Sequence, residues 1–328
     1  MLRFVIKRLL LGVLTLFATS VVTFGMLFAL PHDPVEAVCG KICTPERAAE
    51  FRHVYGFDKP LVVQYGEYMK GIFVGRDLGS SQGGHCSAPC LGWSIVLNEH
   101  VTTTLGRVMP VTFSIVLPAA ALWLLLGISL GMISALRRNT WVDRASIGFS
   151  LVGASVQLYF VGLVLLWVFV YQTHILPFPS YTSIFDNPAK WAQGLVLPWI
   201  TLAFLFSAIY ARLSRAQMIE TLSEDYIRTA RAKGVSKRAI YFRHALRAAI
   251  APVITIFGLD LGATLGGTII TEWTFGLNGL GKTAVYAVHQ ADYGTTMAIV
   301  LFSAVVIVIA NLLVDVLYSV IDPRVRLA

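Results

Sequence analysis

Charge is scarce in this chain. Only 13% of its 328 residues are Asp, Glu, Lys or Arg, while 56% are hydrophobic, and soluble domains carry about 25% charge. With a mean hydropathy of +0.70, the composition excludes an ordinary soluble globular domain. His-Glu-x-x-His and Gly-x-Ser-x-Gly are both missing, which removes the signatures of zinc peptidases and serine hydrolases. Cysteine is absent from every long apolar run, and no cluster of His or Met ligands lines one. A net charge of +8 would suit a nucleic-acid binder, but the basic residues sit between apolar runs and not on a soluble face, so no nucleic acid is expected.

What is present is a series of stretches long enough to cross a bilayer, which takes about 20 apolar residues. They are Leu9–Leu30, Thr112–Leu136, Ala145–Tyr171, Gly194–Ala211, Ile250–Trp273 and Thr295–Val320. Pro118 and Pro198 fall inside them, where bundle packing tolerates proline. The first run follows a basic start, but it exceeds the about 7–15 residues of a signal-peptide core and no small-x-small site follows, so it reads as a retained span. Lys and Arg mark the cytosolic side: Arg3, Lys7 and Arg8 precede the first span, Arg137, Arg138 and Arg144 follow the second, and nine basic residues run from Arg212 to Arg247. Both termini are therefore expected in the cytosol. The chain divides into a terminus and first span (1–30), an extracytoplasmic loop subdomain (31–111), a five-helix core (112–320) with a cytosolic loop at 212–249, and a cytosolic tail (321–328).

The loop subdomain holds all four cysteines: Cys39, Cys43, Cys86 and Cys90. On the oxidising side of a membrane two disulfides are the leading reading, with three pairings open. The rival is a metal site of two Cys-x-x-x-Cys pairs beside His85. Thr44 followed by Pro45–Tyr55 predicts one helix. Pro60–Phe73, with Leu61, Tyr65, Tyr68, Met69 and Ile72 on one face, predicts another lying at the bilayer surface. Gly79–Gly84 reads as a turn.

The polar segment from Asp225 to Pro252 is unlike a plain connector. Thr221 and Glu224 match a capping box, Gly234 suits a helix end, and Ser236 suits a second cap. Ile240, Ala245, Leu246 and Ala249 then recur at helical spacing. The segment predicts two short helices broken at Gly234, an elbow placed to receive force from a soluble partner.

At this elbow the chain resembles the permease subunits of dipeptide/oligopeptide (peptide/nickel-type) ABC importers. Arg228-Thr229-Ala230 stand where the family's Glu-Ala-Ala loop stands, and Gly234 falls on its glycine. His244, Leu246 and Arg247 stand where Ile-x-Leu-Pro usually follows; Arg228 for Glu and Arg247 for Pro match the peptide-importer variant. Leu30-Pro-His-Asp-Pro34, Arg107-Val-Met-Pro110, Glu272-Trp-Thr-Phe275, Gly279-Leu-Gly281, Asn311-Leu-Leu-Val-Asp315 and Asp322-Pro-Arg324 carry the likeness along the chain. The resemblance implies an all-α membrane protein with six transmembrane helices of the type I ABC-importer permease fold. It implies a second homologous permease subunit, two cytosolic ATP-binding subunits that hold ATP and Mg, and an extracytoplasmic peptide-binding protein. It also implies residence in the cytoplasmic (inner) membrane, and that the chain itself binds no cofactor and performs no catalysis. Tyr226, Arg228, Thr229, Ala230, Arg231, Ala232, Lys233, Gly234, Arg243 and His244 would form the ATPase-coupling loop. The alternatives are a secondary transporter or channel, or ABC import of nickel or glutathione.

Inside the spans, Gly258, Gly262 and Gly266 form a small-residue face that lets helices approach closely. It would meet either a helix of this chain or the sister subunit. Asp260 lies between them; a charge at that depth costs about 3 kcal/mol on insertion scales, so it either serves the path or a partner subunit or is a buried, hydrogen-bonded structural group. Glu272 would touch the path or the docking protein, while the family resemblance implies that Asn311 and Asp315 anchor the last span. Gly276-Leu-Asn-Gly-Leu-Gly-Lys-Thr283 matches a phosphate-loop pattern formally, but no soluble strand precedes it, and nucleotide binding is not expected. Mass mapping of non-reduced protein from native membranes should find no free thiol among the four cysteines. Four alkylatable thiols, or stoichiometric zinc, would reject the disulfide reading.

Overall fold

Backbone amides that face lipid must be satisfied within their own segment, which makes helices the solution for the apolar runs. The computed structural model describes residues 2–29, 44–46, 49, 52, 58–78 and 84–321. Cys39, Cys43, Leu30-Pro-His-Asp-Pro34, Asp322-Pro-Arg324, most of the helix expected over Pro45–Tyr55 and most of the Gly79–Gly84 tract lie outside them. The chain opens with α1 (Leu2–Ala29) and α2 (Leu61–Val74), followed by two short antiparallel hairpins. β1 (Arg76–Asp77) pairs with β2 (His85–Cys86), and β3 (Trp93–Ser94) with β4 (Glu99–His100). Then come α3 (Val101–Leu136), α4 (Trp141–Ser155), α5 (Leu158–Leu166) with a π-helical turn at Trp167–Gln172, α6 (Pro188–Ser223) and α7 (Asp225–Ala232). A turn at Lys237–Ala239 and a π-helical turn at Ile240–Ala245 lead into α8 (Leu246–Leu265), before α9 (Ile269–Thr274), α10 (Leu280–His289) and α11 (Tyr293–Ile321).

Among the described residues five helices are long and apolar enough to cross a membrane, and α4 with α5 makes a sixth candidate bent by 99°. The third span expected over Ala145–Tyr171 is therefore not one straight helix. Val156 and Gln157 adopt extended backbone between α4 and α5. The fifth span also ends earlier than Trp273. Gly267, at φ +143°, takes a conformation that L side chains rarely adopt and ends α8, so Ile269–Thr274 folds as a separate turn of helix. α3 and α6 each have 36 residues, about 54 Å of helix, well beyond an about 30 Å hydrocarbon core. Asn187 caps α6 by accepting from the Lys190 amide, with Pro188 in the first turn.

Glycines set the closest approaches. A side chain at Gly127 would overlap Tyr210, and one at Gly131 would lie 2.6 Å from the Ala211 carbonyl, so α3 lies directly on α6. Trp123 stacks on Phe206 at 4.5 Å and the Trp199 indole donates to the Ser114 carbonyl, both across the same seam. Gly153 lets α4 cross α6 at Ala208. Gly258, Gly262 and Gly266 all face α11: the first has no room for a Cβ beside Val314, the second sits on Ile307 and Ala310, and the third on Ser303. The small-residue face thus serves packing within this chain. α1 lies on α11 through Gly12 against Val308, and Arg8 pairs with Asp315 at 3.1 Å, which gives Asp315 the anchoring role expected of it.

α2 differs from its expectation. Tyr65, Tyr68, Met69 and Ile72 do not form an open face; they pack with Phe24, Leu27, Phe28 and Met297 of α1 and α11, and Tyr65 shares a hydrogen bond with Ser20. Leu61, on the same predicted face, is exposed, as are Val62, Phe73 and Val74. Behind α2, Cys86 and Cys90 are both buried. Ser94 donates to Asp292, which also accepts from Thr295, fastening the second hairpin to the start of α11.

At the opposite end a buried ionic clamp joins three helices. Asp143, 2% exposed, accepts from the Arg215 guanidinium at 2.6 and 2.9 Å, the Ser134 hydroxyl at 2.6 Å and the Asn139 amide at 2.9 Å. Removing one member strands a buried charge, at a cost of about 3 kcal/mol. Asp143→Ala should lower the unfolding midpoint of the purified protein by several degrees, and Asp143→Ala with Arg215→Met should recover much of it. A single variant that melts with the parent protein would refute the clamp.

Candidate functional site

The elbow begins where α6 runs out. Thr221 is still helical in α6, and Glu224, which precedes α7, makes no side-chain cap; the capping box does not form because α6 continues through its first member. Backbone bonds from Ile227 and Arg228 to the Glu224 carbonyl start α7 instead. Its end meets the expectation. The Gly234 amide donates to the Arg231 carbonyl at 3.0 Å and Val235 to Ala230 at 3.2 Å, the paired bonds of a Schellman turn. Gly234 adopts φ +77° with no atom near its would-be Cβ, so conformation, not crowding, calls for glycine there.

The second arm differs. Ser236 caps as expected, accepting from the Ala239 amide at 3.4 Å, but no separate short helix follows. The chain runs from Lys237 through the π-helical turn directly into α8, and Pro252 sits inside that helix. A movement of the elbow is thereby a movement of a membrane helix.

Ile227 holds the elbow in place. It is fully buried with Ala135, Met218, Ile240, Ala245 and Ala249, drawn from α3, α6 and the arm leading into α8. Sequence reading overlooked it; its signal is a single large apolar residue in the polar helix, three residues before Ala230, which also joins this cluster. Around this anchor Tyr226, Arg228, Thr229, Arg231, Ala232, Lys233, Gly234 and Arg243 are exposed, while Ala230 and His244 are half-buried. Phe242 adds an exposed aromatic ring beside Lys237 and Arg238. The elbow therefore offers a basic face with aromatic patches, fixed from behind by an apolar plug.

The polar groups inside the bundle separate into two kinds. Asp260 is half-buried and accepts from the Tyr210 hydroxyl at 2.7 Å, joining α8 to α6. Tyr210 belongs to the aromatic seam of Trp123, Phe206 and Phe257. Glu272 is completely buried. Its carboxylate accepts from the Thr112 hydroxyl at 2.7 Å, the Lys282 amide at 2.8 Å and the Thr268 hydroxyl at 3.3 Å. Gly279 crosses over it so closely that any side chain would collide with the carboxylate.

Those bonds explain the formal phosphate-loop pattern. The Lys282 amide, which would turn toward a phosphate, donates to Glu272, and the Leu280 amide donates to the Thr112 hydroxyl. The Lys282 ammonium lies over the Trp273 ring at 5.7 Å. An internal carboxylate already fills this turn. Beside it a cavity of about 430 Å³ opens between Arg107, Trp273, Asn278, Lys282 and Tyr286.

Residues 127–327 match the family described as "Binding-protein-dependent transport system inner membrane component". Residues 1–116 match "Binding-prot-dependent transport system membrane comp, N-term". The chain is similar to the dipeptide transport system permease protein of Alkalihalophilus pseudofirmus, 32% identical over 346 residues, covering 99% of this chain and 100% of the relative. It resembles the di/tripeptide transport system permease protein of Pseudomonas aeruginosa (33% identical, 99% of each chain). The glutathione transport system permease protein of Escherichia coli is 35% identical over 99% of each chain.

Emptying the plug behind the elbow should loosen it without touching its outer face. Ile227→Ala costs about 2–5 kcal/mol where a buried Ile is truncated, felt locally because α7 is short. Amide exchange over Asp225–Ala232 should accelerate markedly, with α3 and α6 unchanged. Unaltered exchange in α7 would show that the plug does not hold it.

Proposed function

Because the chain belongs to the binding-protein-dependent inner-membrane component family, and is thus a permease of an ABC importer, we propose that it forms half of a peptide translocation path driven by partner ATPases. The observation that carries this reading is the elbow: a short helix plugged from behind by Ile227, exposing basic and aromatic residues outward, and continuous with α8. A soluble domain docked on that face can push α7 and move α8 with it, which a passive connector would not allow. The secondary-transporter or channel alternative lacks a reason for such an elbow.

The partners follow from the same reading. A second homologous permease subunit completes the path. Two ATP-binding subunits carry ATP and Mg on the cytosolic side, where the Lys and Arg pattern puts the elbow and both termini. An extracytoplasmic binding protein delivers cargo to the loop side, where the cavity between Arg107, Trp273 and Lys282 lies in its way. Two disulfides among the four cysteines of the loop would suit that oxidising side. The Asp260–Tyr210 pair sits where a polar group can face the path or the sister subunit. Peptide cargo is favoured by the relatives named for dipeptides and di/tripeptides. Glutathione, itself a small peptide, is the second reading, favoured by the Escherichia coli relative, and nickel finds no ligand cluster among the described residues to support it. On docking of the ATPases, closure driven by ATP presses the elbow, α8 shifts against α6, and the path changes the side to which it opens. No covalent step occurs in this chain.

Gly234 separates conformation from contact. Gly234→Val disfavours positive φ, whereas Gly234→Asn tolerates it. In proteoliposomes with partner subunits, the Val variant should insert normally but lose peptide transport and binding-protein-stimulated ATP hydrolysis. The Asn variant should keep most of both. Normal peptide transport by Gly234→Val would make the segment a connector and remove the main physical support for coupling through it.

A further inference from the structure

Between α1, α2, the first hairpin and the start of α11 lies a cavity of about 130 Å³, walled in part by Phe24, Phe28, Tyr68, Arg76, Trp93 and Tyr293. Two of its polar atoms are buried with no hydrogen-bond partner among the described residues: the Tyr68 hydroxyl and the Arg76 Nε. Tyr68 is only 7% exposed. The Arg76 guanidinium lies over the Tyr68 ring at 5.6 Å. Room for it comes from two glycines: a Cβ at Gly71 would fall 2.9 Å from its Cδ, and one at Gly92 3.2 Å from its Nη2. Burial pushes the Tyr68 phenol up and the Arg76 guanidinium down from their ordinary values. Glu67, the carboxylate at the rim, is held by Lys59 at 2.6 and 2.9 Å. A desolvated guanidinium beside an unanswered hydroxyl is costly unless an anion completes it.

We propose that this cavity binds the phosphodiester of a phospholipid headgroup, held by the Arg76 fork and the Tyr68 hydroxyl. Arg presents donors in the planar geometry that phosphate oxygens accept. The surroundings select lipid as the source. The cavity lies at the loop-side end of α1, whose outward residues Val13, Leu14, Phe17, Val22 and Met26 are exposed apolar surface. It is flanked by exposed Val62, Phe73 and Val74 of α2. Tyr and Trp at its wall are the side chains that mark headgroup level. A lipid seated there would join α1 to α2 and α11, stabilising the contact of the loop subdomain with the bundle.

The test uses the full chain, purified in delipidating detergent with the subunits that accompany it. The added probes are dioleoylphosphatidylglycerol, dioleoylglycerol, soluble glycerophosphoglycerol and a dipeptide. Phosphatidylglycerol should raise the unfolding midpoint and be retained in native mass spectra, and dioleoylglycerol should do neither. Tyr68→Phe and Arg76→Gln should each weaken that stabilisation about tenfold or more, the loss expected of a hydrogen bond to a charged group. Without lipid, Tyr68→Phe should be as stable as the parent protein, because its hydroxyl has no partner to lose among the described residues. If Arg76→Gln does not fold, Tyr68→Phe carries the comparison. Equal stabilisation by dioleoylglycerol, or undiminished phosphatidylglycerol retention in Tyr68→Phe, would overturn the proposal. Stabilisation by the dipeptide alone, or in full by glycerophosphoglycerol, would overturn it in favour of a soluble anion.

Discussion

The closeness of α3 to α6 is the constraint on which the rest of the molecule depends. Gly127 and Gly131 admit the backbone of α6 at Tyr210, Ala211 and Ser214, a contact that one methyl group would push apart. In lipid there is little hydrophobic gain from bringing two helices together, so close van der Waals packing and polar bonds must do it. The seam supplies both, with stacked aromatic rings at mid-length and the Asp143–Arg215 pair at one end. Because both helices exceed a bilayer's thickness, their far ends form a platform outside it. α7 is seated on that platform, and Ile227 fits between the ends of α3, α6 and the arm into α8.

Acidic groups within the bundle are answered individually. Asp143 has a guanidinium and two further donors, Glu272 two hydroxyls and an amide, Asp292 hydroxyls from two elements, and Asp260 a phenol. Each bond joins segments distant in the chain or closes a turn, so removal would leave a polar group unsatisfied at membrane depth. Asp260 has the fewest donors of the four and the most open surroundings. That difference, and not depth alone, supports the role toward a path proposed for Asp260. Arg76 stands in contrast to all of them: it is half-buried over the Tyr68 ring, and its Nε has no hydrogen-bond partner among the described residues.

Much of the architecture was legible because lipid solvent imposes strong rules on sequence. Long apolar runs had to become helices, and Gly234, followed by Val235 and a cap at Ser236, had to turn the chain. The glycine triplet at 258, 262 and 266 announced a close helix contact. Local pattern could not tell which helix would meet it, since a face of small residues is equally complementary to α11 and to another subunit. The capping box at Thr221 and Glu224 failed for a similar reason: a terminus signal carries little weight when the preceding helix gains more by continuing against its neighbours. The apolar face of α2 was read correctly as a face, with Leu61 its exception, but α1 and α11 cover it where a membrane surface was expected.

By itself the sequence determined that the chain crosses a membrane repeatedly, that a basic helical elbow joins two spans, and that the elbow turns at Gly234, since composition, period and glycine conformation are local properties. Only the tertiary structure decided that Glu272 fills its own anion turn, that α4 and α5 meet at a bend of 99° and that Ile227 is the plug behind α7. It alone brought Tyr68 and Arg76 to one cavity. Those outcomes depend on which surfaces meet across many residues of chain, and a hydrogen-bond donor or an apolar side chain carries no mark of its distant partner until the helices have packed.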